Sequence, residues 1–484
     1  LDILKNYIGG ELCAPVKGEY IDNYCPSTGE VYGQIPNSCS EDINKAVEAG
    51  KSAFKDWSQL APAKRAEAMM DLADRIEKRS DELAKAESLD QGKPIWLSRK
   101  IEIPRGSGNL RYFAHAIMHW GSQAYTDVPG HIQYITREPI GPCALISPWN
   151  LPLYLITWKI APCIAAGNTA ICKPSELTPK TASMLAEIIS ESSIPPGVIN
   201  IVHGQGARTG EALISHPEVP VVSFTGGTAT GKHLAKTVGP QFKKLSLELG
   251  GKNPNIIFAD CDWEKMMSTT LKSSFQNQGE ICLCGSRIFV ESKVYDKFIK
   301  EFVEKTDQLV VGDPLDEKTF MGALVSKDHF EKVKSYVDLA RSEGGQVLTK
   351  SEVSHLPERC SKGYFMRPTV IQGLAPDCRT NQEEIFGPVV TVIPFDSEQQ
   401  VVDMANGTPY GLSASLWTSD VGRSHRLAQK IKSGTVWIND WMRRDLRVPF
   451  GGMKASGVGR EGGESSLKFF TETKTVSVSY PSEP

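Results

Sequence analysis

The chain has 484 residues, 40% hydrophobic and 23% charged, with a formal net charge of −3. That length exceeds what one hydrophobic core supports, so two or three domains are expected. The near-neutral charge gives no footing for nucleic acid or an anionic membrane as partner, and no apolar run approaches the roughly 20 residues of a membrane span.

The eleven cysteines are scattered without paired spacing. They read as reduced thiols of a cytoplasmic protein and not as a disulfide framework. Cys282 and Cys284 form a C-x-C, but no second Cys or His pair stands at zinc-site spacing, so no metal is expected. No targeting segment is visible.

Residues 1–40 are punctuated by Pro and Gly, a strand-rich lead-in. Residues 41–57 turn helical. Met69, Leu72, Ile76 and Leu83 follow at intervals of three, four and seven, which predicts one face of a second helix. Gln91-Gly92-Lys93-Pro94 breaks it. A third helix is expected over 101–119. Its Arg105 and Arg111 stand six apart and do not share a face. Taken singly, each reads as a solvated surface arginine. Residues 125–138 alternate like a hairpin or protruding arm.

Between 139 and 250, β-rich runs (143–147, 169–172, 198–202 and 221–224) alternate with helical stretches such as 181–190. This argues a mostly parallel sheet covered by helices, with ligands bound beyond the carboxyl ends of its strands. The run 221–231 is a strand ending in Thr225-Gly226-Gly227 and opening a helix, a place where backbone amides can face a phosphate. It is not a strict G-x-G-x-x-G, and a plain turn reads equally well. Residues 251–430 show a second βα pattern, with 383–388 a loop between two apolar runs. An apolar run at 434–439 precedes Trp441-Met442-Arg443-Arg444-Asp445-Leu446-Arg447 and a loop at 449–457. Residues 473–480 alternate as an edge strand. No internal repeat is visible.

The stretch Phe275-Gln276-Asn277-Gln278-Gly279-Glu280-Ile281-Cys282 runs into an apolar strand at 288–290. Most lone cysteines are small buried hydrophobes. A reactive one needs partial access and a setting that yields its thiolate. Here the surrounding motifs decide. Ser147-Pro148-Trp149-Asn150, Lys173-Pro174-Ser175-Glu176, Phe224-Thr225-Gly226, Glu248-Leu249-Gly250-Gly251-Lys252, Gly279-Glu280-Ile281-Cys282 and Glu384-Ile385-Phe386-Gly387-Pro388 occur in that order. Over essentially the whole chain, the sequence resembles the NAD(P)-dependent aldehyde dehydrogenase superfamily.

The resemblance implies an α/β aldehyde dehydrogenase fold. Its parts would be a five-stranded Rossmann-like NAD domain (1–119 and 139–250), an α/β catalytic domain (251–430) and a β oligomerisation arm (120–138 and 463–484). Residues 431–462 would return to the NAD domain and the substrate mouth. Cys282 matches the nucleophile, Asn150 the side-chain oxyanion donor and Glu248 the general base. Alone, Glu248 would read as a salt-bridged carboxylate and Asn150 as a turn residue. Relatives that pass the acyl group to coenzyme A generally lack this base, so its presence argues for hydrolysis.

For the cofactor, Lys173 and Glu176 match residues that hold the adenosine ribose. Glu176 would repel a 2′-phosphate, so NAD is expected over NADP. Ser147, Pro148, Trp149, Ser175, Phe224, Gly226, Gly227 and Leu249 match further cofactor-site positions; Glu384 matches the residue on the nicotinamide ribose, and Phe386 packs there. Gly227 stands where many relatives have serine, leaving only backbone contact with phosphate. Glu280 stands where relatives commonly have Gln, and is expected to raise the thiol pKa.

Ile103-Pro104-Arg105, the Cys282 segment and 441–450 are most similar to the branch that acts on muconic semialdehydes. Arg105 and Arg444 match the arginines that hold the substrate carboxylates, a task suited to the planar guanidinium fork. Arg443 and Arg447 are adjacent alternatives. The implied substrate is an acidic semialdehyde, foremost 2-aminomuconate 6-semialdehyde of kynurenine-type tryptophan catabolism. The implied assembly is a homodimer or homotetramer. Two other readings stand beside this one. A retinal dehydrogenase fits an arginine-lined mouth poorly, and an inactive crystallin-like protein would not need Cys282, Glu248 and Asn150 together.

Overall fold

A computed structural model describes residues 1–481, so the last three positions assigned to the arm, 482–484, lie outside the described residues. Two large sheets organise the chain. The first is built on β1 (Pro142–Ile146), β2 (Thr169–Lys173), β3 (Ile199–Ile201), β4 (Val221–Thr225) and β5 (Lys244–Glu248). These five are parallel, in the order β5-β4-β1-β2-β3. Antiparallel strands close both edges, Gly457–Val458 beside β5 and Asn6–Ile8 with Glu11–Cys13 beyond β3. Every residue of β1 and β2 is buried. That is why these strands read as short apolar cores without a polar alternation, since helices cover both faces of a parallel sheet.

The second sheet contains β6 (Pro254–Ile257), β7 (Arg287–Glu291), β8 (Thr369–Gln372), β9 (Val389–Phe395), β10 (Ser413–Trp417) and β11 (Thr435–Ile438). These are parallel in the order β8-β9-β7-β6-β10-β11. A third, mostly exposed sheet pairs His131–Pro139 antiparallel with Thr471–Ser479 along their full lengths, with Ala124–Tyr125 on its edge.

The helical face predicted from Met69 to Leu83 is divided between α1 (Pro62–Lys78) and α2 (Ser80–Gln91). The break falls at Arg79, whose backbone leaves the helical region (φ −105°, ψ 19°). Its guanidinium ties Glu82 to Glu187, 3.0 Å from each. Leu83 still shares one core with Met69, Leu72 and Ile76, so the spacing found the right face but not the break. The predicted third helix starts with a π-turn at Ser98–Glu102 and continues as α3 (Ile103–Met118). Arg111 pairs with Asp74 and Glu77 of α1, whereas Arg105 faces another way. The α4 helix (Pro152–Ala165) is buried around nearly its whole circumference, with Pro152 opening its first turn.

Among the described residues no helix is long and apolar enough to cross a membrane. The cysteines there are free thiols.

Arg287 anchors the second sheet. Its guanidinium is buried and donates to the carbonyls of Lys252, Met404 and Ala405, each at 2.8 Å. Burial lowers its pKa to about 9. Arg287→Met would leave those carbonyls unpaired, a loss of about 3 kcal/mol or more. Differential scanning calorimetry should show the thermal midpoint fall by about 3 °C or more; an unchanged midpoint would remove Arg287 from this role.

Candidate active site

Strand register brings the first elements of the site together. Phe224 pairs with Ile146, Ile146 with Lys173, and Thr225 with Glu248. The segments after β1, β2, β4 and β5 therefore leave one edge of the sheet side by side, as expected for a ligand site of a parallel sheet. Gly227 caps the helix α5 (Thr228–Val238). A Cβ on Gly227 would meet open space, and the buried Thr225 Oγ1 has no hydrogen-bond partner. These features fit a phosphate at a helix N-terminus. Nearby, Lys173 Nζ lies 2.7 Å from Glu176 Oε2, and the Gly206 amide donates to Glu176 Oε1 at 3.0 Å. Burial opposes ionisation of Glu176, but Lys173 and the amides outweigh it and hold its pKa below normal.

The second sheet delivers the thiol. The helix α6 (Trp263–Phe275) ends in Asn277 (φ 53°), Gln278 (φ 58°) and Gly279 (φ 70°), all left-handed. A Cβ on Gly279 would overlap the Gly387 carbonyl, so glycine is required for space as well as for φ. The chain then runs to Cys282, whose carbonyl accepts from Asn253 Nδ2 at 2.7 Å.

A cavity of about 260 Å³ is lined by Cys282, Glu248 and Asn150 together. Pro148, Trp149, Gly226, Gly227, Leu249, Glu384, Phe386 and Arg444 also line it. Ser147, Lys173, Ser175, Glu176, Phe224 and Arg105 lie outside that wall. Phe224 packs beneath Gly226, where a Cβ would strike its ring. Ser147 donates its amide to the Lys173 carbonyl at 3.3 Å, and Ser175 Oγ accepts from the Leu177 amide at 3.2 Å.

Asn150 Nδ2 donates to the Glu280 carbonyl at 2.9 Å. Both carboxylate oxygens of Glu248 are buried without a hydrogen-bond partner. Burial raises its pKa well above normal, the like charge of Glu461 adds to this, and Lys159, Arg460 and Arg444 oppose it. Burial also raises the Cys282 thiol, with Glu384 and Glu248 adding to the effect and Arg444 acting against it.

Glu280 departs from expectation. Its carboxylate accepts from Gln91 Nε2 at 2.6 Å and from the Val325 amide at 3.1 Å. The acids acting on the thiol are Glu384 and Glu248. The left-handed turn directs the Glu280 side chain into the packing behind the loop.

Of Arg443, Arg444 and Arg447, it is Arg444 that lines the cavity. It bonds Tyr154 Oη and lies over the rings of Trp158 and Phe450, 4.8 and 4.5 Å from their centroids. It has no carboxylate within ion-pair distance among the described residues. Arg447 pairs with Asp445 in the exposed segment, and Arg443 is exposed. The Arg105 guanidinium sits 5.3 Å from the Tyr154 ring centroid and that of Arg444 5.6 Å, so the two cations meet around one phenol. Arg105 Nη1 is buried without a hydrogen-bond partner, and Glu102 lies 3.8 Å from it.

Several cavity residues escaped the sequence reading. Tyr154 and Trp158 lie in an apolar helix that reads as plain core. His329 and Lys332 lie on a surface-like helix; the His329 ring nitrogen is 2.7 Å from the Phe386 carbonyl. Glu461 accepts from Trp158 Nε1 and Lys159 Nζ, both at 2.8 Å. No local spacing marks that contact across three hundred residues.

Residues 14–476 match the model of the aldehyde dehydrogenase family. The chain is 53% identical over 481 residues to 2-aminomuconic semialdehyde dehydrogenase of Danio rerio, covering 99% of this chain and 98% of that one. It is 40% identical to 2-hydroxymuconic semialdehyde dehydrogenase of Pseudomonas sp. (strain CF600), covering 98% and 99%. The structure of aldehyde dehydrogenase from Bacillus cereus in complex with NAD+ superposes with a TM-score of 0.95 at 38% identity, covering 99% and 97%. The chain belongs to the aldehyde dehydrogenase family and is an oxidoreductase.

Glu461→Gln removes the like charge beside Glu248 and leaves Lys159 in place, so the Glu248 pKa should fall. The acid limb of the pH–kcat profile should then move to lower pH. A limb that stays put, or moves to higher pH, would separate Glu461 from the acidity of Glu248.

Proposed function

We propose that this aldehyde dehydrogenase oxidises an acidic semialdehyde to its carboxylate with NAD, through a thioester on Cys282. The observation that carries the substrate class is Arg444, a partly buried guanidinium in the catalytic cavity without a carboxylate partner. A substrate carboxylate supplies that partner with charge-assisted hydrogen bonds, and Arg105 adds a second cation around Tyr154. The muconic semialdehyde names of the relatives support the same class, with 2-aminomuconate 6-semialdehyde foremost. A retinoid offers these cations no such charge.

In this reading Glu248 accepts the thiol proton and Cys282 Sγ attacks the aldehyde carbon. The new oxyanion receives hydrogen bonds from the Asn150 amide and the Cys282 backbone N–H. Bound NAD supplies the hydride acceptor that lets the thiohemiacetal become a thioester. Glu248 gives the thiol proton up to solvent once the thioester has formed, and then takes a proton from the water that attacks the thioester carbon; returning that proton to the departing sulfur reforms the thiol as the acid leaves and ionises. Both duties need Glu248 ionised, against a burial that favours its neutral form.

For the cofactor, Glu176 and Lys173 would hold the adenosine ribose, with Ser147, Ser175 and Phe224 supporting that end. The amides at Gly226 and Gly227 would face the pyrophosphate. Glu384, Leu249, Phe386, Pro148 and Trp149 would enclose the nicotinamide end. An ionised Glu176 favours NAD over NADP. The exposed arm sheet, with Tyr125, Tyr134 and Val478 on its surface, supports association of copies of the chain.

NADH formation tests the reading directly. kcat/KM should be highest for 2-aminomuconic or 2-hydroxymuconic semialdehyde and far lower for retinal and an aliphatic aldehyde. Arg444→Ala should lose about 1.5–3 kcal/mol on the acidic substrate, roughly 10- to 150-fold in kcat/KM, and much less on a neutral aldehyde, which loses only the minor effect of Arg444 on the thiol. Equal losses on both would sink the substrate assignment.

A further inference from the structure

In the sequence, Gln91-Gly92-Lys93-Pro94 is a helix stop. In the fold, this turn is wholly buried and reaches both halves of the proposed oxyanion site. Lys93 Nζ donates to the Asn150 carbonyl at 2.9 Å and lies 3.2 Å from Glu87 Oε1, an ion pair with no solvent exposure. Gln91 Nε2 donates to Glu280 Oε2 at 2.6 Å, two residues before Cys282. The Asn150 and Glu280 ends are joined directly by the bond from Asn150 Nδ2 to the Glu280 carbonyl. Asn277 Nδ2 closes the arrangement, donating to the carbonyls of Asn150 and Glu280 at 3.2 Å each.

We propose that Lys93, with Gln91, is a positioning residue for oxyanion stabilisation, fixing the Asn150 amide relative to the Cys282 backbone N–H. The inference rests on the reading of Asn150 as the oxyanion donor. A primary amide has two N–H donors. The Glu280 carbonyl takes one and leaves the other for the substrate oxygen. Exchanging the amide oxygen and nitrogen would set two acceptors against each other, so this bond also fixes which way the amide faces. The bond holds only while the two loops keep their separation. The Gln91–Lys93 turn sets that separation, because two residues of one rigid turn grip one loop each. Gly92 is left-handed (φ 89°), and a Cβ there would meet the Ala323 carbonyl, so the turn is itself wedged in place.

The groups bearing on Lys93 come from three segments: Glu87 on α2, the Asn150 carbonyl after β1, and the Glu280 carboxylate before Cys282. Glu87 Oε2 also accepts from the Leu153 amide at 3.3 Å, which ties the pair to the first turn of α4. Removing Lys93 alone would strand Glu87 as a buried charge and confuse folding with catalysis. The appropriate variant is Glu87→Gln/Lys93→Met, which removes both charges and roughly keeps the volume.

A double-mutant cycle with Asn150→Ala decides the matter. Asn150→Ala alone should lower kcat by about 100- to 1,000-fold. Glu87→Gln/Lys93→Met should lower kcat by about 10- to 100-fold in the wild-type background. In the Asn150→Ala background the same pair should cost less than about threefold, because its route to the reaction is already gone. NAD affinity and the rate of Cys282 alkylation by iodoacetamide should be unchanged, since neither uses the oxyanion donors. Equal losses in both backgrounds, no loss in the wild type, or a paired variant that does not fold would overturn the role assigned to Lys93. If Asn150→Ala alone is harmless, the oxyanion reading itself falls, and the inference falls with it.

Discussion

The chain must reverse between α6 and Cys282 within a few buried residues, and the way it does so conditions the rest of the site. Three consecutive left-handed residues, Asn277, Gln278 and Gly279, make the reversal. Left-handed backbone is costly for a long side chain such as Gln278 and persists only where its surroundings hold it. Here Gly279 lies flat against the Gly387 carbonyl, and the Asn277 side chain is bonded to the Asn150 carbonyl of the neighbouring loop and to the Glu280 carbonyl of its own. The same turn that aims Cys282 into the cavity therefore also attaches it to Asn150 and to the loop that carries Phe386. Phe386 is itself left-handed (φ 61°), so strained backbone flanks the cavity on two sides. Such strain concentrates where a fixed geometry serves chemistry.

Charge is the second organising factor. Glu248, Glu384 and Glu461 line one small cavity around a single thiol. They cannot all be ionised at low cost in a buried space. Burial raises Glu384, with the Gly251 amide, Lys332 and Lys252 drawing it back. Lys252, itself buried, is lowered to about 7. Glu461 is compensated by Lys159 at 2.8 Å. Glu248 alone has neither hydrogen-bond partner nor adjacent ion pair, which leaves it the freest of the three to take up a proton. Arg444 brings positive charge to the same space, where it favours the thiolate and faces an incoming carboxylate.

Much of this could be read in the sequence, because four of the six family motifs sit where a strand of the first sheet ends, and register aligns those ends. The apolar runs at β1, β2 and β4 and the glycine-rich turn before α5 were all visible. The break at Arg79 was not, because the helical spacing continues through it and the pairing with Glu187 is tertiary. The direction of Glu280 was also hidden. Its proximity to Cys282 in sequence suggested an acid beside the thiol, but a left-handed turn between neighbours reverses where a side chain points. Tyr154, Trp158 and Glu461 carried no local signal, since their meaning depends on contacts with distant residues. Lys93 was hidden for the same reason: Asn150 is 57 residues away from it.

The central claim is that an acyl group from the aldehyde is carried on Cys282 and released by Glu248. The most direct measurement is rapid acid quench of the wild-type enzyme within its first turnovers on NAD and 2-hydroxymuconic semialdehyde, followed by digestion and fragment mass spectrometry. The account predicts that the peptide containing both thiols gains the mass of the acyl group, located by fragmentation on Cys282 and absent from Cys284. An acyl group found on Cys284 or elsewhere, or NADH formation persisting in Cys282→Ala, would contradict it.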